Sequence, residues 1–176
     1  MSLLESLRKS DKPGILYDAD VVHEILPQKF PFAFVDEVVS LEVGKEAAEG
    51  VEAVNPSIVA TFHLTGDEGF LKGHFPGNPV MPGVIQIEAM AQAATILTMI
   101  VKEADVAGKR PAFMGVEECR FRAPVIPKAD LVLKATLTFA RRGIYKYNGE
   151  GTPSQYDLMT GYSAETVDYT LEEFSY

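Results

Sequence analysis

A long helical run from Gly83 to about Glu103 constrains the fold most. Its apolar side chains fall on nearly every face, which is typical of a helix surrounded on all sides by other structure. At about 100° per residue, Glu88, Gln92 and Thr95 lie on one narrow polar stripe. An ionised glutamate is unfavourable in lipid, so we expect a buried core helix and no membrane span.

The rest of the chain predicts short strands around this helix. Asp18 is expected to cap a short helix that ends at Leu26, before Pro27. Beyond it, β-branched residues and alternation, broken by Pro and Gly, indicate strands. The predicted strands are 34–39, 47–54, 58–64, 112–122, 130–140, 144–150 and 156–169, with turns at 43–45 and 151–154. One long helix with mostly antiparallel strands predicts an α+β fold, a sheet curled around the helix.

Composition limits the class of protein. With 176 residues and 47% hydrophobic side chains, the chain is expected to form a single domain over 1–176, with an N-terminal extension at 1–17 and a tail at 172–176. A net charge of -9 argues against a nucleic-acid partner. One cysteine, Cys119, cannot form an internal disulfide, and the N-terminus lacks the pattern of a signal peptide, so we expect a cytoplasmic protein.

The loop before the long helix carries the most chemistry. His74 stands in a Gly/Pro loop that Pro76 and Pro79 stiffen, and an imidazole there is suited to proton abstraction at neutral pH. Pro82 and Gly83 begin the helix, whose exposed N–H groups can stabilise an oxyanion. Apolar surroundings favour the neutral form of a carboxyl group, so Glu88 is expected to act as an acid, with Gln92 orienting it.

A base, an acid and an oxyanion site, with no activated Ser or Cys nucleophile and no metal cluster, fit β-elimination of water next to a carbonyl. No cofactor and no metal are expected. His23 and His63 are interpreted as structural, because neither has metal-ligand spacing, and Cys119 as a core or interface residue.

These residues resemble the β-hydroxyacyl-acyl carrier protein dehydratases of fatty acid synthesis, which have the hot-dog fold. The matching segments are 73–77 with Pro79, 81–84, 88–92, Phe30-Pro31-Phe32 with Val35-Asp36, and 120–122 with Pro124, Val125 and Pro127. The resemblance spans about Val21 to Glu150, and Glu88 is similar to the branch that only dehydrates.

The resemblance implies a homodimer in which His74 of one subunit meets Glu88 of the other, and a trimer of dimers. His74 would remove the α-proton of a (3R)-hydroxyacyl thioester, Glu88 would assist departure of the hydroxyl, and the Gly83 N–H would bind the thioester carbonyl. Phe75, Pro82 and Val84 are expected to line the substrate site together with Gln92. Which of His74 and Glu88 protonates the leaving water stays open, as do chain length and the choice between acyl carrier protein and coenzyme A.

Two other functions are compatible with these residues. A hot-dog acyl thioesterase would also use the start of the helix and Glu88. An acyl-thioester sensor would use only the substrate tunnel of the fold, although no DNA-binding segment is evident. Acyl carrier protein, as the partner, would need a basic patch. The candidates are Arg120, Arg122, Lys128, Arg141, Arg142 and Lys146, which a solvated strand face explains equally well. The segment 45–74 is longer than the family's short form, and its piece 58–64 is interpreted as an addition.

Overall fold

The computed structural model describes residues 2–48, 52–154 and 167–174. The helices are α1 (Leu3–Ser6), α2 (Ala19–Ile25), a short 3-10 helix (Gly69–Lys72), α3 (Gly83–Val101) and α4 (Glu103–Val106). The strands are β1 (Glu37–Glu42), β2 (Ser57–Leu64), β3 (Arg110–Glu118), β4 (Ala129–Arg141), β5 (Ile144–Pro153) and β6 (Val167–Phe174).

The six strands form one antiparallel sheet in the order β1-β2-β4-β5-β6-β3. The sequence predicts the antiparallel pairing, although not the order of the strands. Strand β2 lies between β1 and β4, with Phe62 opposite Leu131. Its alternate residues are buried, so one face of the strand packs on the core. The predicted strand 58–64 is therefore confirmed, and it is an interior strand of the sheet.

Helix α3 packs against the concave side of this sheet, in contact with β2, β4 and β5. Small side chains such as Ala89, Ala93 and Ala94 are fully buried and allow the strands to approach closely. The buried Thr95 hydroxyl donates to Ala91 O at 2.9 Å, which satisfies it within the helix. By length and composition α3 is apolar enough to cross a membrane, yet 61% of its most apolar window is buried inside the protein, as in core helices.

The segments on both sides of β1 differ from the prediction. Residues 34–36 are irregular and β1 starts at Glu37, while 47–54 forms no strand in its described part and only Lys45 and Val54 make an isolated bridge. At Gly44, where φ is +83°, a Cβ would lie 2.8 Å from Pro56 Cδ, so the backbone on the two sides of the Lys45–Val54 bridge approaches closely.

The C-terminal prediction is also corrected. Strand β5 continues through Pro153, so the chain has no turn at 151–153. Most of the predicted strand 156–169 falls outside the described residues, and β6 begins at Val167. Residues 172–174 of the predicted tail belong to β6, which pairs with both β5 and β3, while 175–176 lie outside the description.

The N-terminal segment packs on the rest of the fold. Tyr17 is buried, and its N–H and carbonyl both bond to Val38 of β1. Helix α2 occupies the predicted position, but Asp18 makes no side-chain cap and its carboxylate pairs instead with Lys12 at 3.1 Å. The Lys29 ammonium donates to Leu26 O at 2.8 Å and holds the end of α2, immediately before the residues that reach the candidate site.

Candidate active site

His74 lies on the loop between the 3-10 helix and α3. Its Nδ1 is 2.8 Å from Val80 O, while Val80 N–H donates to His74 O at 2.7 Å. A carbonyl oxygen only accepts, so the imidazole proton is on Nδ1. Nε2 therefore keeps its lone pair, and it makes no hydrogen bond within the part of the chain that the structure describes. The geometry suits a general base acting through Nε2.

The imidazole opens onto a cavity of about 320 Å³, here called the His74 cavity. Its walls are formed by His74, Val80, Met81, Gly83, Gln86, Phe121, Arg122, Ala123 and Pro124. The first residue of α3, Gly83, lies directly under an aromatic ring, and a Cβ on it would be 2.6 Å from Phe121 Cζ. The structure thus brings His74 and Gly83 together at one cavity, as the sequence predicts.

The start of α3 offers free donors at this cavity. Pro82 is the N-cap residue and has no N–H, and the first backbone donors to its carbonyl are Ile85 N and Gln86 N. Across the described ranges, the N–H groups of Gly83 and Val84 donate to no backbone acceptor. Unpaired N–H groups at a helix N-terminus attract negative charge, so this end can hold an oxyanion.

Two other predicted substrate residues are at the surface of the single chain. Val84 is 72% exposed and Phe75 is 55% exposed, and neither lines the His74 cavity. The Phe75 ring stacks on the His74 imidazole with 4.2 Å between centroids. Apolar side chains this exposed, next to the His74 loop, are available for contact with a ligand or a second subunit.

Glu88 lies in a different set of contacts. Gln92, one turn further along α3, is fully buried; it accepts from Phe34 N at 2.7 Å and donates to Phe32 O at 3.0 Å. The Phe34 N–H fixes which end of the amide is oxygen. The Gln92 Nε2 therefore donates to Glu88 Oε1 at 2.8 Å and orients the carboxylate, as predicted.

Gln28 adds a second donor that sequence reasoning missed. Its Nε2 lies 3.3 Å from Glu88 Oε1. We call Glu88, Gln92, Gln28 and the backbone of 32–34 the Glu88 cluster. The segment 30–32 is part of the family resemblance, and the polar Gln28 just before it was the available signal. Thr95, predicted on the same stripe, bonds within its helix and is not part of the cluster.

One chain does not unite His74 with Glu88. Glu88 is absent from the lining of the His74 cavity, and its described partners are the two glutamines. Five residues along a helix amount to a rotation of about 140°, so the Glu88 side chain leaves α3 on a different side from Gly83. In one chain, His74 and Glu88 therefore have separate surroundings.

The remaining candidates lie elsewhere. His63 contacts Asp130 at 2.7 Å and Glu37 at 3.4 Å on the sheet, in a surface ion-pair cluster. Burial raises the pKa of the Cys119 thiol, which disfavours the nucleophilic thiolate. Throughout the described ranges, no group of three or more His, Cys, Asp and Glu residues is arranged to hold a metal ion.

The predicted basic patch is not one surface. Arg120 pairs with Glu118 at 2.6 Å, and Lys146 forms an ion pair with Glu117. Arg141 and Arg142 line a separate cavity with Lys102, beyond the C-terminal end of α3. Of the six candidates, Arg122 is the one that lines the His74 cavity.

Comparison with known proteins decides the family. A family model described as the FabA-like domain matches residues 26–155. The chain belongs to the FabA-like family. Over 136 residues it is 41% identical to the 3-hydroxyacyl-acyl-carrier-protein dehydratase FabZ of Erythrobacter litoralis, covering 77% of this chain and 83% of that protein. The FabZ dehydratase of Thiobacillus denitrificans is 43% identical over 133 residues, 75% of this chain and 84% of that one.

A longer relative contains the same region. The bifunctional enzyme LpxC/FabZ of Chlorobaculum tepidum is 34% identical over 148 residues, which are 84% of this chain and 29% of that protein. This chain thus spans less than a third of that relative's length. The predicted resemblance to the dehydratase family is confirmed, and these names favour a dehydratase over a thioesterase.

Solved structures confirm the hot-dog fold. The dehydratase heterocomplex ApeI:P from Xenorhabdus doucetiae superposes with a TM-score of 0.66 at 17% identity, covering 88% of this chain and 91% of that one. A hypothetical thioesterase with coenzyme A from Streptococcus pneumoniae gives a TM-score of 0.52 at 11% identity, covering 79% and 85%. At these identities the likeness concerns the fold alone.

Proposed function

We propose that this FabA-like protein catalyses reversible dehydration of a (3R)-hydroxyacyl thioester of acyl carrier protein to the trans-2-enoyl thioester, in cytoplasmic fatty acid biosynthesis. The observation that carries the proposal is the hydrogen bond of His74 Nδ1. Its Nδ1 is bound to Val80 O at 2.8 Å, so Nε2 is the nitrogen that is left to act as a base. The free N–H groups at the start of α3 lie at the same cavity.

The reaction follows from these positions. His74 Nε2 takes the α-proton of the substrate, and the negative charge moves to the thioester oxygen. The N–H groups of Gly83 and Val84 stabilise the negative charge on that oxygen. One well-placed donor of this kind can contribute about 2.7–4 kcal/mol to transition-state stabilisation. The enolate then forms the C2=C3 double bond as the C3–O bond breaks. The hydroxyl leaves as water with a proton from Glu88 or from the protonated His74.

We infer that two subunits complete each site. His74 and Glu88 have separate surroundings in one chain, and Val84 and Phe75 are exposed beside them. A two-fold dimer would place the Glu88 cluster of one subunit at the His74 cavity of the other and cover these apolar side chains. The family resemblance extends this arrangement to a trimer of dimers.

The acyl chain and its carrier need separate surfaces. A further cavity of about 530 Å³ has several phenylalanines in its lining, among them Phe32, Phe34, Phe62 and Phe70, and reaches Ile85 one turn before Glu88. Such a lining suits an acyl chain. Arg122, at the His74 cavity, is placed to meet the phosphate of the carrier's prosthetic arm.

The test is hydration of a trans-2-enoyl thioester of acyl carrier protein, followed as loss of its absorbance. The wild-type protein should hydrate it and His74→Ala should not. Lys134→Ala, at an exposed position of β4 that lines neither cavity, is the control and should keep full activity. Full activity in His74→Ala would remove the proposal. Release of free thiol from acyl thioesters, without hydration, would replace the dehydratase with a thioesterase.

A further inference from the structure

The amide of Gln28 joins the Glu88 cluster from outside the helix. It follows α2 in the chain, 60 residues from Glu88, and its Nε2 lies 3.3 Å from Glu88 Oε1. That same oxygen receives Gln92 Nε2 at 2.8 Å. Two N–H donors thus occupy Oε1, and Oε2 makes no hydrogen bond within residues 2–154 as described. Oε2 is therefore the carboxyl oxygen that is available to a substrate.

The other end of the Gln28 amide is unusual. Its Oε1 is buried and has no hydrogen-bond partner among the described residues. A carboxylate oxygen accepts and does not donate, so the amide must turn its NH₂ group toward Glu88 and its carbonyl away. A buried carbonyl without a donor is unfavourable, so Gln28 Oε1 has an open position for an O–H or N–H donor.

The proposed reaction supplies such a donor. We propose that Gln28 Oε1 accepts a hydrogen bond from the 3-hydroxyl group of the substrate and thereby aligns that hydroxyl with Glu88. An amide neither gives nor takes a proton at neutral pH, so its role is orientation. With its hydrogen directed to Gln28, the hydroxyl oxygen keeps its lone pairs for the proton that it must accept to leave as water. The inference rests on the dehydration proposed above.

The same contact makes Gln28 a specificity residue. A site built to accept from a hydroxyl group discriminates against an analogue that lacks it. A saturated acyl thioester has no oxygen at C3, and a 3-oxoacyl thioester has an acceptor there instead of a donor. Gln28 should therefore favour the 3-hydroxyacyl thioester over both, while Gln92, which has no free polar atom in the cluster, should not distinguish them.

The test compares Gln28→Met, which keeps the length of the side chain and removes the amide, with the wild-type protein. The kcat/KM for the 3-hydroxyacyl thioester should fall by roughly 5–50-fold, most of it in KM, while the inhibition constant of the saturated acyl thioester changes by less than about twofold. Thr61→Val is the matched control. It removes another buried oxygen without a partner, on β2, and should change neither constant.

A measurement on the wild-type protein serves if Gln28→Met does not fold. The 3-oxoacyl thioester should bind at least about fivefold more weakly than the 3-hydroxyacyl thioester, because it cannot donate to Gln28 Oε1. Equal binding of the two would overturn the inference.

Other outcomes would also decide it. An equal loss for hydroxylated and saturated thioesters in Gln28→Met would assign the side chain a packing role and overturn the proposal. A weaker dimer with unchanged discrimination would mean that the partner subunit provides the donor, which also overturns it. Absence of hydration by the wild-type protein would instead remove the proposed function itself, so the two failures are distinguishable.

Discussion

His74 is held by residues near it in the sequence, whereas Glu88 is held by residues far from it. The imidazole bonds to Val80, six positions along the same loop. The Gln92 amide, which orients the carboxylate, bonds to the backbone of Phe32 and Phe34, about 60 positions away. The base therefore depends on local loop conformation, and the acid depends on how the segment before β1 packs on α3.

This difference has consequences for perturbation. A local structure tolerates changes elsewhere in the fold, while a long-range cluster loses several bonds when one member is removed. Substitutions around Glu88 should thus affect stability and activity together. Substitutions around His74 should affect activity with little change in stability.

The largest effect on activity should come from removing His74 or Glu88, and activity should partly return when the two variants form mixed dimers. His74→Ala and Glu88→Ala should each lower hydration roughly 10²–10⁴-fold, because each removes a proton-transfer group. Co-expressed in equal amounts, the two variants should recover about a quarter of wild-type activity, since half of the dimers are mixed and each holds one intact site. Absence of recovery in verified mixed dimers would place His74 and Glu88 of one chain in the same site.

The second effect concerns the Glu88 cluster. Gln92→Leu leaves the Phe34 N–H buried without a partner, removes the bonds to Phe32 O and Glu88, and should lower the free energy of unfolding by roughly 2–5 kcal/mol. Gln86→Leu is the matched control on the same helix, since it loses one bond, to Met81 O at 3.2 Å, and should cost about 1 kcal/mol. Urea denaturation measures both. Similar losses in the two variants would contradict the contrast between the regions.

A smaller effect on stability is expected at the His74 cavity. In Gly83→Ala the new Cβ would meet Phe121 Cζ at 2.6 Å, and the half-exposed ring must turn away. The gain in helix propensity offsets the contact, so the free energy of unfolding should change by less than about 1 kcal/mol. The kcat/KM should fall roughly tenfold, because the displaced ring alters the approach to the helix N-terminus. Unchanged kinetics would show that this approach is not used.

The Gly83→Ala/Phe121→Ala pair tests the cause. If ring displacement is responsible, adding Gly83→Ala to Phe121→Ala should have little further effect on kcat/KM. A full additional tenfold loss would instead assign the defect to the methyl group itself.

The smallest effect lies outside both regions, at His63. Burial lowers its pKa, but the Asp130 hydrogen bond and the charges of Asp36 and Glu37 outweigh this, and its net pKa is raised. A raised pKa means that the folded state holds the proton more tightly. The stabilisation is complete below the ordinary histidine pKa and is lost as the pH rises through the folded-state value.

His63→Asn should therefore lower stability at pH 5.5, by less than about 1 kcal/mol for so exposed a side chain, and should make no difference at pH 9. Thermal unfolding across this pH range measures the difference. A deficit that grows with pH would reverse the sign of the assignment.

The sequence predicts what depends on local pattern. The all-round apolar character of α3 predicts a central helix, and alternation predicts β2, β4 and β5 to within a few residues. Residues 47–54 form no strand in their described part, where Val54 makes an isolated bridge with Lys45 and Gly44 lies close to Pro56. Local composition does not predict that contact.

In the candidate site, too, the sequence predicts the local contacts and misses the long-range contact. The motif around His74 and Gly83 predicts their common cavity, and the four-residue spacing predicts the Glu88–Gln92 bond. Gln28 was missed because its partner lies 60 residues away, and no periodicity connects the end of α2 with the second turn of α3. Such contacts are set by packing and become visible with the tertiary structure.

The bonding of Tyr17 to Val38 has a consequence for how copies of this chain can add to one another. The described sheet ends at β1 on one side and β3 on the other, and the N-terminal segment occupies part of the β1 edge. Strand-by-strand growth needs two open edges on every copy. The Tyr17 bridge covers β1 at Val38, whereas β3 has no strand beyond it in the described sheet. Edge-to-edge contact between copies is therefore less hindered at β3, and a contact between two identical edges is closed by a two-fold axis.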